Sequence, residues 1–362
     1  MASTAVASIE PGSTFAALEI PDLRNLEWDA LVRTHPAGRC IVPKWEELAG
    51  WTNHAIGLFK EGTGGALVAG LDLALRRIPK LPLHLSRVSR IMLAEGREIE
   101  TLEVLLHDLE RFAMRHLVIE TELRLRIPAT DDIAGFGYHR ATDTLLKDFG
   151  YRPLSKVDTT YFIDLDRDDD GLLRSFSAKA RNKIRKAQKG GAVVEISKDY
   201  SLLDDFYEAY LDMGERKSAP IPPKRFVGEG LVPLLDAGVA LLVTESYQDK
   251  VSNMVIVDAL GIPCYALGAR TKANVLGEVP GAAQVLHYEV MKMLRARKKA
   301  YYDLGGCEGP IPIEGHPNFG VWHFKHAFSG RFVRFLPYYR KVRGSLLRPV
   351  MDAVHRLRGD YV

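Results

Sequence analysis

The chain has 362 residues, 46% apolar and 26% charged, enough to bury two cores and too apolar for a disordered chain. Lysine plus arginine stand at 49 against 46 aspartate plus glutamate, which excludes a histone-like polycation. The near balance hides an asymmetry. Residues 280–362 hold 14 Lys/Arg against 6 Asp/Glu, so the remainder carries 35 against 40. Three scattered cysteines (Cys40, Cys264, Cys307) form neither a disulfide framework nor a zinc spacing. The first residues lack a signal peptide's basic start and apolar core, and no run reaches about 18 apolar residues. The expectation is a cytoplasmic globular protein.

In chain order, Leu23–Val32 has helical spacing, and apolar runs at Ala55–Phe59 and Gly65–Leu75 flank a hairpin-type turn. Glu98–Arg115 is a strong amphipathic helix with Leu102, Leu105, Leu106, Leu109, Phe112 and Ala113 on one side. A β-branched run at Leu117–Glu120, a helix near Thr142–Phe149 and a strand at Thr159–Leu165 follow. The second half repeats the order: a helix at Leu202–Met213, strands at Val239–Glu245, Asn253–Ala259 and Cys264–Gly268, a long helix at Ala282–Arg297, and a strand at Ala300–Leu304. A meander plus a βαβ crossover in each half predicts tandem α/β domains of acyltransferase type.

Between the halves lies Ser177–Gly191, with six cations (Lys179, Arg181, Lys183, Arg185, Lys186, Lys189) and no acid. Helix formers fill it and Gly190-Gly191 ends it. Arg181, Arg185 and Lys189 fall on one helical face, a ridge suited to phosphates, although a charge run also suits a solvated face. Farther on, Tyr302-Asp303-Leu304-Gly305-Gly306 ends a strand where small residues admit a ligand. Lys325 then stands among Trp322, His323, Phe324 and Phe328. Two readings are open there: a desolvated cation with a strong field, or a lysine snorkelling from an apolar helix. His323 and His326 lack a third ligand, Asp168-Asp169-Asp170 lacks calcium-loop spacing and reads as a loop, and Gly277–Gly281 is a poor pyrophosphate loop. The amphipathic tail Leu346–Leu357 suits a membrane surface or packing on the body.

The run Lys179–Gly191, the stretch Tyr302–Gly306 and Phe324–Gly330 (Phe-Lys-His-Ala-Phe-Ser-Gly), with Arg77–Pro82 and Thr159–Leu165, resemble the Fem family in order and spacing. These are non-ribosomal peptidyltransferases that use aminoacyl-tRNA to build peptidoglycan cross-bridges. The resemblance implies an α/β fold of two tandem GNAT-like (acyl-CoA N-acyltransferase-like) domains, 1–157 and 158–330, with 331–362 packing back on the first. It implies transfer of an amino acid from tRNA to an amine of a peptide-bearing acceptor, a peptidoglycan precursor or a peptide antibiotic or metabolite, with no metal and no cofactor. Phe324 and Lys325 inherit the place beside the reacting ester. Arg216 and Tyr265 match acceptor-binding positions, and Tyr302 and Asp303 are grouped with them. Arg181, Arg185, Lys189, Arg331 and Arg334 are assigned to tRNA, and peripheral membrane contact is a further expectation. Two alternatives stay open on the same scaffold: an acyl-CoA-dependent N-acyltransferase, and a non-catalytic RNA- or membrane-surface-binding protein.

Overall fold

The structure is a computed structural model that describes residues 15–20, 26–60, 65–133, 136–217, 221, 223–270, 281–344 and 351, without the side chains of 213 and 215–217. The chain divides into two compact units, 1–158 with 334–362, and 159–333.

In the first unit, β1 (Phe15–Ile20) leads to α1 (Leu26–Thr34), α2 (Ile41–Leu48), β2 (Thr52–Lys60), β3 (Leu67–Arg77) and β4 (His84–Met92). Helix α3 (Glu98–Arg115) crosses to β5 (Val118–Leu123), and α4 (His139–Asp148) precedes β6 (Arg152–Asp164). Strands β1 to β4 form an antiparallel meander, β4 and β5 are parallel, and residues 339–342 of β12 (Arg331–Val342) pair antiparallel with β5. Helix α3 buries the six apolar residues of its predicted stripe, because a parallel pair needs a crossover that covers the sheet.

The second unit repeats this plan. It contains α5 (Asp169–Ser175), α6 (Ala178–Lys189), β7 (Val193–Ile196), α7 (Leu202–Lys217), a π-helical turn at Phe226–Leu231 and α8 (Val232–Asp236). Strands β8 (Ala240–Tyr247), β9 (Lys250–Asp258) and β10 (Cys264–Arg270) follow, then α9 (Ala282–Ala296), β11 (Tyr301–Gly306) and α10 (Phe319–His326). Strands β7 to β10 form the meander, α9 crosses over, β11 lies parallel to β10, and β6 closes antiparallel on β11. The architecture is α/β, with the same meander-plus-crossover plan in both units. Among the described residues no helix is long and apolar enough to cross a membrane.

The three acids expected in a loop instead open α5. Asp168 caps the helix by accepting the Gly171 N–H at 2.6 Å, and Asp169 and Asp170 sit in the first turn, where the helix dipole favours negative charge. Of the glycines read as a phosphate loop, Gly277 lies outside the described residues. Gly281 has φ +85° at the start of α9, and a Cβ there would stand 2.3 Å from the backbone oxygen of Lys183. That glycine therefore lets α9 approach α6. Gly281→Ala should cost about 1–3 kcal/mol of stability, seen as a lowered Tm in scanning calorimetry. An unchanged Tm would show that the two helices are not packed at this point.

Candidate active site

The site lies at the end of β11 in the second unit. Strands β10 and β11 share a single register pair, Cys264↔Asp303, whereas β4 and β5 in the first unit share five. Beyond that pair the hydrogen-bonded ladder stops and β10 carries a bulge between Tyr265 and Leu267. Past that point β10 and β11 no longer pair with each other, while β10 stays paired with β9 and β11 with β6, which gives a place for a ligand to meet backbone between them.

Asp303 shapes the turn that ends β11. Its carboxylate is wholly buried, with Oδ1 accepting the Gly305 N–H at 2.8 Å and lying 2.5 Å from Thr160 Oγ1. The Thr160 hydroxyl is also 2.7 Å from the Gly305 carbonyl. These contacts fix Gly305 at φ +74°, where a Cβ would meet the Tyr265 carbonyl at 2.8 Å. Only glycine suits a left-handed backbone this close to another strand. The turn leaves the Gly306 carbonyl facing α10.

Helix α10 buries Trp322 and Lys325 three residues apart, and Phe328 is buried just past its end. Trp322 is anchored by donating its indole N–H to the Gly309 carbonyl at 2.6 Å. Lys325 is only 5% exposed, and its ammonium donates to the Gly306 carbonyl at 2.6 Å. The snorkelling alternative is therefore overturned: the head group is turned into the unit, not out to water. Nζ also stands 5.6 Å from the ring centre of Tyr265, within cation–π range.

Around this cation the walls are aromatic. The His287 ring on α9 lies 4.7 Å from Tyr265, 5.4 Å from Phe324 and 5.9 Å from Phe328. Burial first, and the Lys325 charge second, push the His287 pKa down to about 3. Burial raises the Tyr265 hydroxyl to about 12, and nearby Tyr210 adds to the rise. A cation in a site walled by neutral rings acts through a low local dielectric. The depressed His287 also has a stability consequence. Its folded value lies below the unfolded value of about 6.5, so its contribution is complete above that pH and is lost as pH falls toward 3. Acidification from pH 7 to pH 5 should cost about 2 kcal/mol at this residue. Urea midpoints at the two pH values should fall more for the native chain than for His287→Phe, and an equal fall would contradict the assignment.

The sequence-derived residues divide on this frame. Phe324, Lys325 and Tyr265 come together, with Tyr265 and Phe324 partly exposed. Tyr302 and Asp303 are completely buried, so they lie beneath the site and not on an acceptor-facing surface. The backbone of Arg216 is in the last turn of α7, and its side chain lies outside the described residues. On α6, Ser177 caps the N-terminus by accepting the Ala180 N–H, and Ala180, Ile184 and Ala187 pack inward. Arg185 and Lys189 are exposed, but the Arg181 guanidinium turns back to the carbonyls of Arg174 and Phe176. The expected three-cation ridge is thus two exposed cations, with Lys179, Lys183 and Lys186 exposed beside them, because helix α5 leaves carbonyls within Arg181's reach. Arg331 and Arg334 are exposed at the start of β12. His323 stacks on Phe319 and His326 Nδ1 lies 3.3 Å from the Tyr161 hydroxyl, and among the described residues no group of three His, Cys, Asp or Glu side chains is placed to hold a metal. The sequence reading missed His287, although a histidine amid Val285, Leu286, Val290 and Met291 was a visible polar exception on an apolar helix.

No family model matches the chain. Lipid II:glycine glycyltransferase of Staphylococcus aureus is 31% identical over 215 residues, covering 55% of this chain and 48% of the relative. The chain thus spans about half the length of the curated relatives it matches. The crystal structure of FemX superposes with a TM-score of 0.76 at 20% identity, over 92% of this chain and 99% of that one. A conserved protein of unknown function from Bacteroides thetaiotaomicron VPI-5482 gives 0.54 at 9% identity, over 86% of this chain and 95% of that one. The chain is homologous to the glycyltransferase along the matched stretch, and it has the fold of FemX.

Proposed function

We propose that the protein transfers an aminoacyl group from aminoacyl-tRNA to an amine of a peptide-bearing peptidoglycan precursor. The observation that carries this reading is the buried Lys325 ammonium where β10 and β11 cease to pair with each other, on a chain similar to a lipid II:glycine glycyltransferase. The chemistry asks little of the protein. An α-amine has a pKa near ~8, so part of it is neutral and nucleophilic at pH 7. Its nitrogen attacks the ester carbonyl, the bond to the ribose oxygen breaks, and the amine proton ends on that oxygen. The protein aligns the reactants. Lys325 stabilises the negative charge that develops on the carbonyl or the departing ribose oxygen, while Phe324 and Tyr265 keep water from its field. Exposed Arg185 and Lys189 on α6, with Arg331 and Arg334, meet the tRNA phosphates.

The test is incubation of the purified chain with total charged tRNA and lipid-linked or nucleotide-linked muropeptides, read by mass spectrometry. The expected product is heavier by one aminoacyl residue and vanishes when ribonuclease destroys the donor. A product formed only with acyl-CoA, or formed despite ribonuclease, would replace this reading with the acyl-CoA alternative.

A further inference from the structure

The crossover helix α9 carries one polar side chain in the middle of its buried face. His287 is 2% exposed, flanked by Val285, Leu286, Val290 and Met291. Its Nδ1 is 3.0 Å from the hydroxyl of Tyr302, which is itself wholly buried on β11. Among the described residues this imidazole is the only hydrogen-bond partner of the Tyr302 hydroxyl. A buried phenol hydroxyl without an acceptor is costly, so the O–H donates to Nδ1 and the imidazole carries its proton on Nε2. One hydrogen bond therefore fixes the tautomer and the plane of the ring. The ring so held touches Tyr265 edge-on at 4.7 Å and Phe324 at 5.4 Å, the two aromatic side chains beside Lys325. An apolar pair would fill the same volume without any desolvated polar groups. What the imidazole and hydroxyl add is orientation.

We propose that His287, locked by Tyr302, is a positioning residue for acyl transfer: it holds the rings of Tyr265 and Phe324 in place beside the Lys325 ammonium. This role rests on the transfer reaction proposed for the site. The neutral imidazole also keeps a second positive charge away from Lys325, in line with its depressed pKa. His287 touches no reacting atom; its effect passes through the two rings, and it falls on the rate of the bound complex and not on substrate affinity.

The experiment is steady-state kinetics with charged tRNA and the muropeptide acceptor for the native chain, His287→Phe, His287→Asn, Tyr302→Phe and the His287→Phe/Tyr302→Phe double variant, with Tm measured alongside. Misplacement of the rings should lower kcat about 10- to 100-fold in His287→Phe while both KM values stay within about two-fold. Tyr302→Phe should show a smaller loss, and the double variant should match His287→Phe, since the two groups act as one device. His287→Asn, which keeps a polar atom near Nδ1, should recover part of kcat. Imidazole ¹⁵N shifts should report the Nε2–H tautomer in the native chain and its loss of definition in Tyr302→Phe. A native-like kcat in His287→Phe, additive losses, or changes confined to KM or Tm would overturn the inference while leaving the transfer reaction standing. No transfer by the native chain from any charged tRNA would overturn the functional reading, and this inference with it.

Discussion

Lys325→Met should lower kcat for aminoacyl transfer by about 10²–10³ and leave the acceptor KM almost unchanged. Methionine keeps the length and apolar stem of the side chain, so the buried position on α10 stays filled. What disappears is the ammonium held at 2.6 Å from the Gly306 carbonyl. A charge in a wall of neutral rings has no water to screen it, so its effect on a developing oxyanion is large. Its effect on a neutral ground-state ester is small, which is why the loss falls on kcat. Lys325→Arg would separate charge from shape: the guanidinium keeps the charge, but its planar head cannot occupy the ammonium's place against Gly306, and activity should stay well below native. Single-turnover kinetics on a preformed complex check both variants. A native rate in Lys325→Met would remove this residue from the reaction.

Reversing Arg185 and Lys189 to glutamate should weaken tRNA binding by on the order of 10–100-fold near physiological salt. Both side chains are exposed on α6, and neither has an acidic neighbour on its own helix. Removing two phosphate neutralisations should flatten the slope of log affinity against log salt by about 1.4 to 1.8. The helix itself should survive, because its Ser177 cap and its buried Ala180, Ile184 and Ala187 are untouched. Arg181 behaves differently. It is committed to the Arg174 and Phe176 carbonyls, so its replacement by alanine should lower Tm and change tRNA affinity little. Filter binding across a salt series gives the slope; an unaltered slope in the double reversal would place the tRNA elsewhere.

The legible parts of this fold were those whose side chains obey one period. Helix α3 declared its buried stripe from Leu102 to Ala113, and α9 its span. Strand β4 did not. Its inward positions include Ser86 and Arg90, which make sense only with partners on other strands: Ser86 Oγ donates to Thr121 Oγ1 at 2.8 Å and Arg90 pairs with Asp72 at 2.6 Å. Strand β12 was hidden by Pro337 and by arginines at Arg331, Arg334 and Arg340, residues that normally argue against a strand. At the site, Lys325 could be singled out because a lone cation stood among aromatics. Its burial could not, since the carbonyl that receives it depends on the Asp303–Thr160–Gly305 contacts across 143 and 145 residues of chain. Separation along the chain likewise concealed the bond between His287 and Tyr302 from any local pattern, as it did the buried state of Tyr302 and Asp303.

The most direct test follows the amino acid itself. The purified chain is given tRNA charged with a radiolabelled amino acid, together with a muropeptide acceptor, and the label is traced by its resistance to mild base, which cleaves esters but spares amides. The label should leave the tRNA and appear on the acceptor in base-stable form, at a rate that collapses in Lys325→Met. Label that remains on tRNA, or is released as the unattached amino acid with no amide on the acceptor, would contradict the account.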